Sequence, residues 1–203
     1  MMGPKEKKER ALGEHLHLKA RRCQSPKCAL VRRPQRPGVH ARRRRMLSDF
    51  GRQIREKQKF KLTYGINERN LKRMFKQAEQ SSDSTVEKLL ELAGRRLDNA
   101  IFKLGLAGSR SEGRQLIGHG HIMVNQRRVR SPGFLVKQND VIAVRPESKS
   151  KTAFRALAES LKTYEPPAWL YLDKEKLEGK ILGLPEDEKL PVEINLLVES
   201  LNK

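Results

Sequence analysis

The 203-residue sequence predicts an α+β protein: a mainly helical N-terminal domain behind an extended basic arm, then two short helices leading into a small β-sheet. Three observations carry that prediction. Apolar residues recur at helical spacing between Ser48 and Leu104, as in Leu71, Met74 and Phe75 at i, i+3 and i+4. Short apolar strands (HIMVN, RRV and VIAVR) come only after Gly118. Before Met46 the chain is dense in Arg, Lys, Pro and Gly and shows little periodicity.

Taken in order, residues 1–45 form the arm, where Pro34 and Pro37 forbid a continued helix. Residues 46–94 form the helical domain. Ser48 is a good N-cap for SDFGRQIREKQKFKLTYG, and a second helix is expected from Asn67 to about Gln80. Thr85 could cap the next helix, with Leu89, Leu92 and Ala93 on one stripe; Leu97, Ala100, Ile101 and Leu104 form another. Residues 95–146 hold the two short helices and the sheet. Ser109 and Glu112 are spaced as a capping box, Leu116 and Ile117 point inward, and Gly118 ends the helix. Asn125-Gln126 makes a tight turn, although Gly would be the stronger second residue. Residues 147–203 read as a helix with Phe154, Leu157 and Leu161 inward, then an irregular Pro-containing segment packing back on the helical domain. From Glu193 the pattern fits either strand or helix.

The net charge is +20, from 44 Lys and Arg against 24 Asp and Glu. Self-repulsion on that scale calls for a polyanionic partner. It is uneven: residues 1–61 carry 20 bases and 5 acids, residues 62–163 carry 19 and 10, and residues 164–203 carry 5 and 9. The polyanion therefore meets the first two regions, and the acidic C-terminal segment is suited to contact protein. No apolar run reaches the length of a membrane span, and MMGPKEKKER lacks a signal-peptide core. With only two cysteines, a reducing cytoplasmic setting is expected.

The chemistry of the motifs narrows the function. Gly105, Gly108 and Gly113 match neither G-x-G-x-x-G nor a Walker loop. His119 and His121 lack a third metal ligand nearby, and in a basic segment they suit phosphate better. Cys23 and Cys28 could give two of four zinc ligands, with His15, His17 and His40 in the same region, but no paired C-x-x-C completes the set. No G-x-S-x-G, H-E-x-x-H or paired catalytic acids occur, so catalysis is not expected. Cations on an arm, on amphipathic helices and on a helix–loop–strand unit, with few aromatics between them, favour shape and phosphate recognition of structured RNA.

RLDNAIFKLGLAGSRSEGRQLIGHGHIMVNQRRVRSPGFLVKQNDVIAVR (96–145) resembles the RNA-binding module of the small-subunit ribosomal protein S-four family, an α-L unit of two short helices and a curled sheet. The same module occurs in some pseudouridine synthases, tyrosyl-tRNA synthetases and a heat-shock RNA-binding protein. Residues 22–75, with P-G-x-H, S-D-F-G and R-E-K-Q-K, and WLYLDKEKLEGKILGLP (169–185) are similar to the bacterial or organellar family members themselves. The resemblance implies a non-enzymatic, primary binder of small-subunit ribosomal RNA that nucleates assembly of the subunit body. It also implies a place near the mRNA entrance, contact with ribosomal protein S-five, and an effect on decoding accuracy. Many members hold zinc on four N-terminal cysteines; here only Cys23 and Cys28 match, so no cofactor is expected.

On this basis Arg42, Arg43, Arg44 and Arg45 are expected to thread between RNA helices, and Arg52, Arg55, Lys57, Lys59 and Lys61 to line one helical face. Arg95, Arg96, Arg110, Arg114, Gln115, His119, His121, Asn125, Arg127 and Arg128 are expected to form the module's RNA surface, aided by a helix N-terminus. The alternatives are a free RNA-binding translational repressor or quality-control factor, and an RNA-modifying enzyme. The enzyme would need a catalytic constellation that the residues after Arg145 do not offer.

Overall fold

Leu71, Ile101, Ile117 and Ile142 are all fully buried, although the chain is one-third charged. Two separate units do this burying: Met1–Leu89 with Lys189–Lys203, and Leu90–Glu188. The computed structural model describes residues 4–202 except 24, 40, 42–45, 152–153, 155–156, 158, 160, 162 and 186–190, and omits the side chains of 20 and 21.

The first unit is helical. It contains α1 (Lys5–Leu12), α2 (Ala20–Cys23), α3 (Ala29–Arg32), α4 (Asp49–Tyr64), α5 (Glu68–Glu79) and the start of α6 (Thr85–Gly94). Ser48 caps α4 by accepting from Gly51 N–H at 3.2 Å, and Asn67 caps α5 by accepting from Asn70 N–H at 2.8 Å. Thr85 is the first residue of α6 rather than its cap. The last helix, α10 (Ile194–Glu199), packs on α4: Glu56 accepts from the Glu193 amide at 3.0 Å, and Gln53 donates to Glu199 at 2.8 Å.

The described part of residues 1–45 is not the extended arm that the sequence suggests. Three helices lie within the described part, and polar contacts help to fold it beside buried Leu16, Cys28 and Leu30. The buried Glu9 carboxylate accepts from the amides of Leu16 and Leu18 at 3.2 and 3.1 Å, and Arg10 donates to the carbonyls of Arg33 and Gln35. Such bonds leave no apolar period, so hydrophobic spacing cannot reveal them.

The second unit comprises the end of α6, α7 (Leu97–Lys103), α8 (Arg110–Gly118), α9 (Pro146–Lys149) and a sheet of β1 (Ile122–Val124), β2 (Arg127–Arg128), β3 (Val141–Val144), β4 (Leu170–Asp173) and β5 (Glu178–Ile181). The order is β2-β1-β3-β5-β4, antiparallel throughout. Leu97, Ile101, Leu104, Ile117, Phe154 and Leu161 cover its inner face.

Here the irregular C-terminal segment is corrected. Residues 170–181 form a hairpin that adds to β3 in the register Ile142↔Gly179, so only the chain beyond 188 returns to the helical unit. Leu170 and Leu172 point into the core and Tyr171 out, a two-residue period too short to stand out between prolines. Gly179 is required there: a Cβ would run into the Leu104 side chain.

The β1–β2 turn has Asn125 at φ 48° and Gln126 at φ 63°, left-handed at both central residues. In that conformation Gln126 carries steric strain, which glycine avoids. Gln126→Gly is expected to stabilise the protein by about 1 kcal/mol, read as a higher midpoint in thermal unfolding.

Candidate nucleic-acid interface

α8 and β2 present the module's cations. Ser109 starts α8 by accepting from Glu112 N–H at 3.2 Å, but the Glu112 carboxylate reaches the Gly108 amide at 3.0 Å, one residue before the position a capping box requires. The Glu112 amide in the first turn of α8 is therefore engaged by the cap. At the first position of α8, Arg110 donates to Asn99 Oδ1 at 2.7 Å and lies over the Phe102 ring at 4.9 Å. Arg114 is 40% exposed, with Nη1 3.9 Å from Asp98 Oδ2; Gln115 is exposed. Arg127 and Arg128 occupy the exposed edge strand β2. Arg128 donates to the His119 carbonyl at 3.2 Å and lies across Gly120, where a side chain would displace it. The His119 side chain is exposed. Arg110, Arg114, Gln115, His119, Arg127 and Arg128 are thus carried on two adjoining elements, α8 and the β1–β2 ribbon.

Other expected contacts belong to the scaffold. Arg96 is buried and donates to both oxygens of Asp98, at 3.0 and 2.7 Å. Arg95 donates to the Val136 carbonyl at 2.9 Å and pairs with Glu91 at 2.8 Å. Asn125 uses its amide group on Asp140 and its carbonyl on Val141 N–H, which pins the turn to β3. His121 sits 2.9 Å from Ser148 Oγ and packs edge-on to Phe154. Burial lowers its pKa, and Lys151, His119, Arg128 and Arg145 add to the shift, so the neutral ring is favoured.

The single cationic face expected on α4 is also corrected. Arg55 and Lys59, one turn apart, both pair with Glu14, at 3.1 and 2.8 Å, and Arg55 also bonds the Leu12 carbonyl. Lys59 is only 8% exposed. Desolvation lowers its pKa, but bonds to Glu14 and Glu56 outweigh this and hold the ammonium charged. Lys57 and Lys61 lie on another side and pair with Glu68 at 3.5 and 2.7 Å; the Lys61 bond depresses the Glu68 pKa. Only Arg52 projects into solvent, with Asp49 4.0 Å away. Arg42, Arg43, Arg44 and Arg45 fall outside the described residues.

The structure adds a site that hydrophobic and charge patterning do not disclose. Arg10, Arg22, Lys27, Arg32 and Arg33 line an open cleft of about 320 Å³ in the N-terminal segment. Their scattered positions carry no helical period, and the cleft exists only because α1 and α3 fold together.

Both cysteine sulfurs lie near groups of α1 and the turn after it. Cys28 Sγ lies 3.9 Å from His15 Nδ1, and Cys23 Sγ lies 4.0 Å from Glu9 Oε2, but Glu9 is committed to two backbone amides. Burial, with Glu9 and Cys28 contributing, raises the Cys23 pKa, so the free thiol is the favoured form. Among the described residues no three His, Cys, Asp or Glu side chains converge as a metal needs.

A helix pair carrying an arginine ridge beside an exposed cationic strand defines a phosphate-binding RNA module, preceded by a basic helical domain. The comparisons agree with that class. Residues 1–93 match the family model "Ribosomal protein S4/S9 N-terminal domain", and residues 95–142 match "S4 domain". Small ribosomal subunit protein uS4 of Halothermothrix orenii is 47% identical over 92% of this chain and 91% of that protein. Its counterpart in Caldicellulosiruptor bescii is 45% identical over the whole chain and 98% of that protein. The chain belongs to the S4 family of small-ribosomal-subunit proteins.

The buried and exposed arginines should separate cleanly. Asp98→Ala leaves Arg96 buried and unpaired and is expected to cost about 3–5 kcal/mol, read as a large fall in the denaturation midpoint. Arg127→Ala is expected to stay within about 0.5 kcal/mol of wild type while weakening RNA binding.

Proposed function

We propose that this chain is a structural component of the small ribosomal subunit that binds ribosomal RNA directly, and that it nucleates folding of the subunit body and bears on decoding accuracy. The observation that carries it is the exposed cationic rim of α8 and β2, standing over a core that uses none of those side chains except Arg110 and Arg114. Near-complete alignment with relatives of that name supports it. No catalytic step is assigned, and the cytoplasm is the proposed compartment. Among the described residues no helix is long and apolar enough to cross a membrane.

Finer partners follow from the same proposal. The acidic C-terminal segment carries exposed Tyr171, Leu182 and Leu184, which suit a protein neighbour better than phosphate, and ribosomal protein S-five is the proposed one. The RNA rim would lie close to incoming mRNA. The N-terminal segment is proposed to be metal-free, with Glu9 as its organiser.

Co-sedimentation tests the assignment. At endogenous levels the protein should travel with small subunits, and its absence from them would favour the free repressor. On protein-free small-subunit RNA, affinity should fall steeply with salt. Arg127→Gln with Arg128→Gln should reduce the log–log slope by about 0.7–0.9 for each phosphate that the variant no longer neutralises.

Glu9 has its own test. Glu9→Ala strands the buried Leu16 amide and the half-buried Leu18 amide and should destabilise the N-terminal segment by about 1–3 kcal/mol, whereas EDTA should leave wild-type melting unchanged. A melting midpoint that drops with EDTA would refute the metal-free proposal.

A further inference from the structure

α7 carries two buried polar residues side by side, Asp98 and Asn99, and each reaches an arginine of α8. Asp98 Oδ2 lies 3.9 Å from Arg114 Nη1, and Asn99 Oδ1 accepts from Arg110 Nε at 2.7 Å. Arg110 and Arg114 stand one turn apart on α8, and Gly113 between them comes close to the Asp98 carbonyl. The two arginines are thus held from behind by consecutive residues of the neighbouring helix.

The two anchors differ in charge. Asp98 is a carboxylate already engaged at both oxygens by Arg96, so Arg114 meets it at longer range. Asn99 is neutral. Its amide nitrogen donates to the Gly94 carbonyl at 2.9 Å, which fixes the flip of the amide and turns Oδ1 to Arg110. Asn99 therefore orients a guanidinium without cancelling its charge, unlike Glu91 on Arg95 or Glu14 on Arg55. Phe102, three residues on, completes the seat with its ring 4.9 Å from Arg110 Cζ. With Nε on an amide and one face over a ring, the guanidinium keeps its charge and loses freedom to turn. A flexible arginine loses much of its rotamer freedom on gripping a phosphate; here folding has already removed part of it.

We infer that Asn99 is a positioning residue for RNA binding: with Phe102 beside it, it holds Arg110 in the orientation that grips an RNA phosphate. The inference rests on the proposal that the α8–β2 rim binds small-subunit RNA. It assigns part of the rim's affinity to a fully buried, uncharged side chain that lies beneath the surface. A guanidinium forks onto phosphate through two parallel N–H bonds, and the Asn99 bond occupies only Nε.

The test uses the full-length protein and protein-free small-subunit RNA, with filter binding across a KCl series and thermal melting of each variant. Asn99→Ala removes no charge, so it should weaken binding by about 2- to 10-fold at every salt concentration and leave the log–log slope unchanged. Arg110→Ala should lower the slope by about 0.7–0.9. Added to Arg110→Ala, Asn99→Ala should change affinity by less than about 2-fold, because the side chain it orients is gone. Losses that multiply in the double variant, or wild-type affinity in folded Asn99→Ala, overturn the inference and make Asn99 a packing residue of α7. Should Asn99→Ala melt early, Phe102→Leu, at a half-buried position, is read instead. It should weaken binding at constant slope and add no loss to Arg110→Ala; wild-type affinity there overturns the inference. An unchanged slope in Arg110→Ala, with the Arg127→Gln, Arg128→Gln variant flattened, also overturns it and leaves the RNA rim on β2 standing. Unchanged slopes in both overturn the inference together with the module's assigned RNA face.

Discussion

The second unit depends on one buried carboxylate. Asp98 is 2% exposed, so its charge must be met inside the protein, and Arg96 meets it through two parallel bonds. The surrounding backbone is tied at the same place. Leu97 and Asp98 donate to the carbonyls of Phe134 and Pro132, and Val136 donates to Arg95. A single ion pair thus fixes the start of α7 and the loop leading to β3. Its second consequence reaches the surface: Arg114 leans toward the same carboxylate, and Gly113 lets α8 come close to the Asp98 carbonyl. The position of an exposed arginine is set by a charge in the core.

The same logic explains how a chain of net charge +20 folds. Acids are few, and several are shared. Glu14 serves Arg55 and Lys59, Glu68 serves Lys57 and Lys61, and Glu6 serves Lys19 and Arg22. One carboxylate between two cations neutralises half of their charge, and the remainder accumulates where no acid is present. Those acid-poor places include β2 and the N-terminal cleft lined by Arg10, Lys27, Arg32 and Arg33. RNA is therefore part of the charge balance of the native state, and its binding stabilises the fold by mass action.

How much of this the sequence discloses depends on the kind of interaction. Where apolar period and capping coincide, as at Ser48, Asn67 and Ser109, helix starts are legible to the residue. The four-residue strands of the C-terminal hairpin are too short to show a period, and their partner β3 lies about 40 residues earlier in the chain, beyond any local pattern. The role of each cation is the least legible. Arg96 and Arg127 are the same residue type in the same module, yet one is buried on Asp98 and the other is exposed. Lys59 reads as a surface cation, because nothing local announces that Glu14, 45 positions back, will close over it.

The arrangement of the two units has a further consequence for folding. The second unit is one continuous segment, 90–188, and its pairings close short loops, apart from the hairpin joining β3. The first unit takes chain from both ends of the sequence. Glu56 holds its two parts together: buried on α4, it needs both the Lys59 ammonium and the Glu193 amide, 137 residues away, to satisfy its oxygens. Until the C-terminal segment is present, that carboxylate lacks one of its donors and the α4 face that receives Leu197 remains uncovered. Contacts of that separation form late because loop closure must come first. The module can thus acquire its arginine rim before the helical unit is complete, and RNA engaged there would hold the chain while its two ends come together.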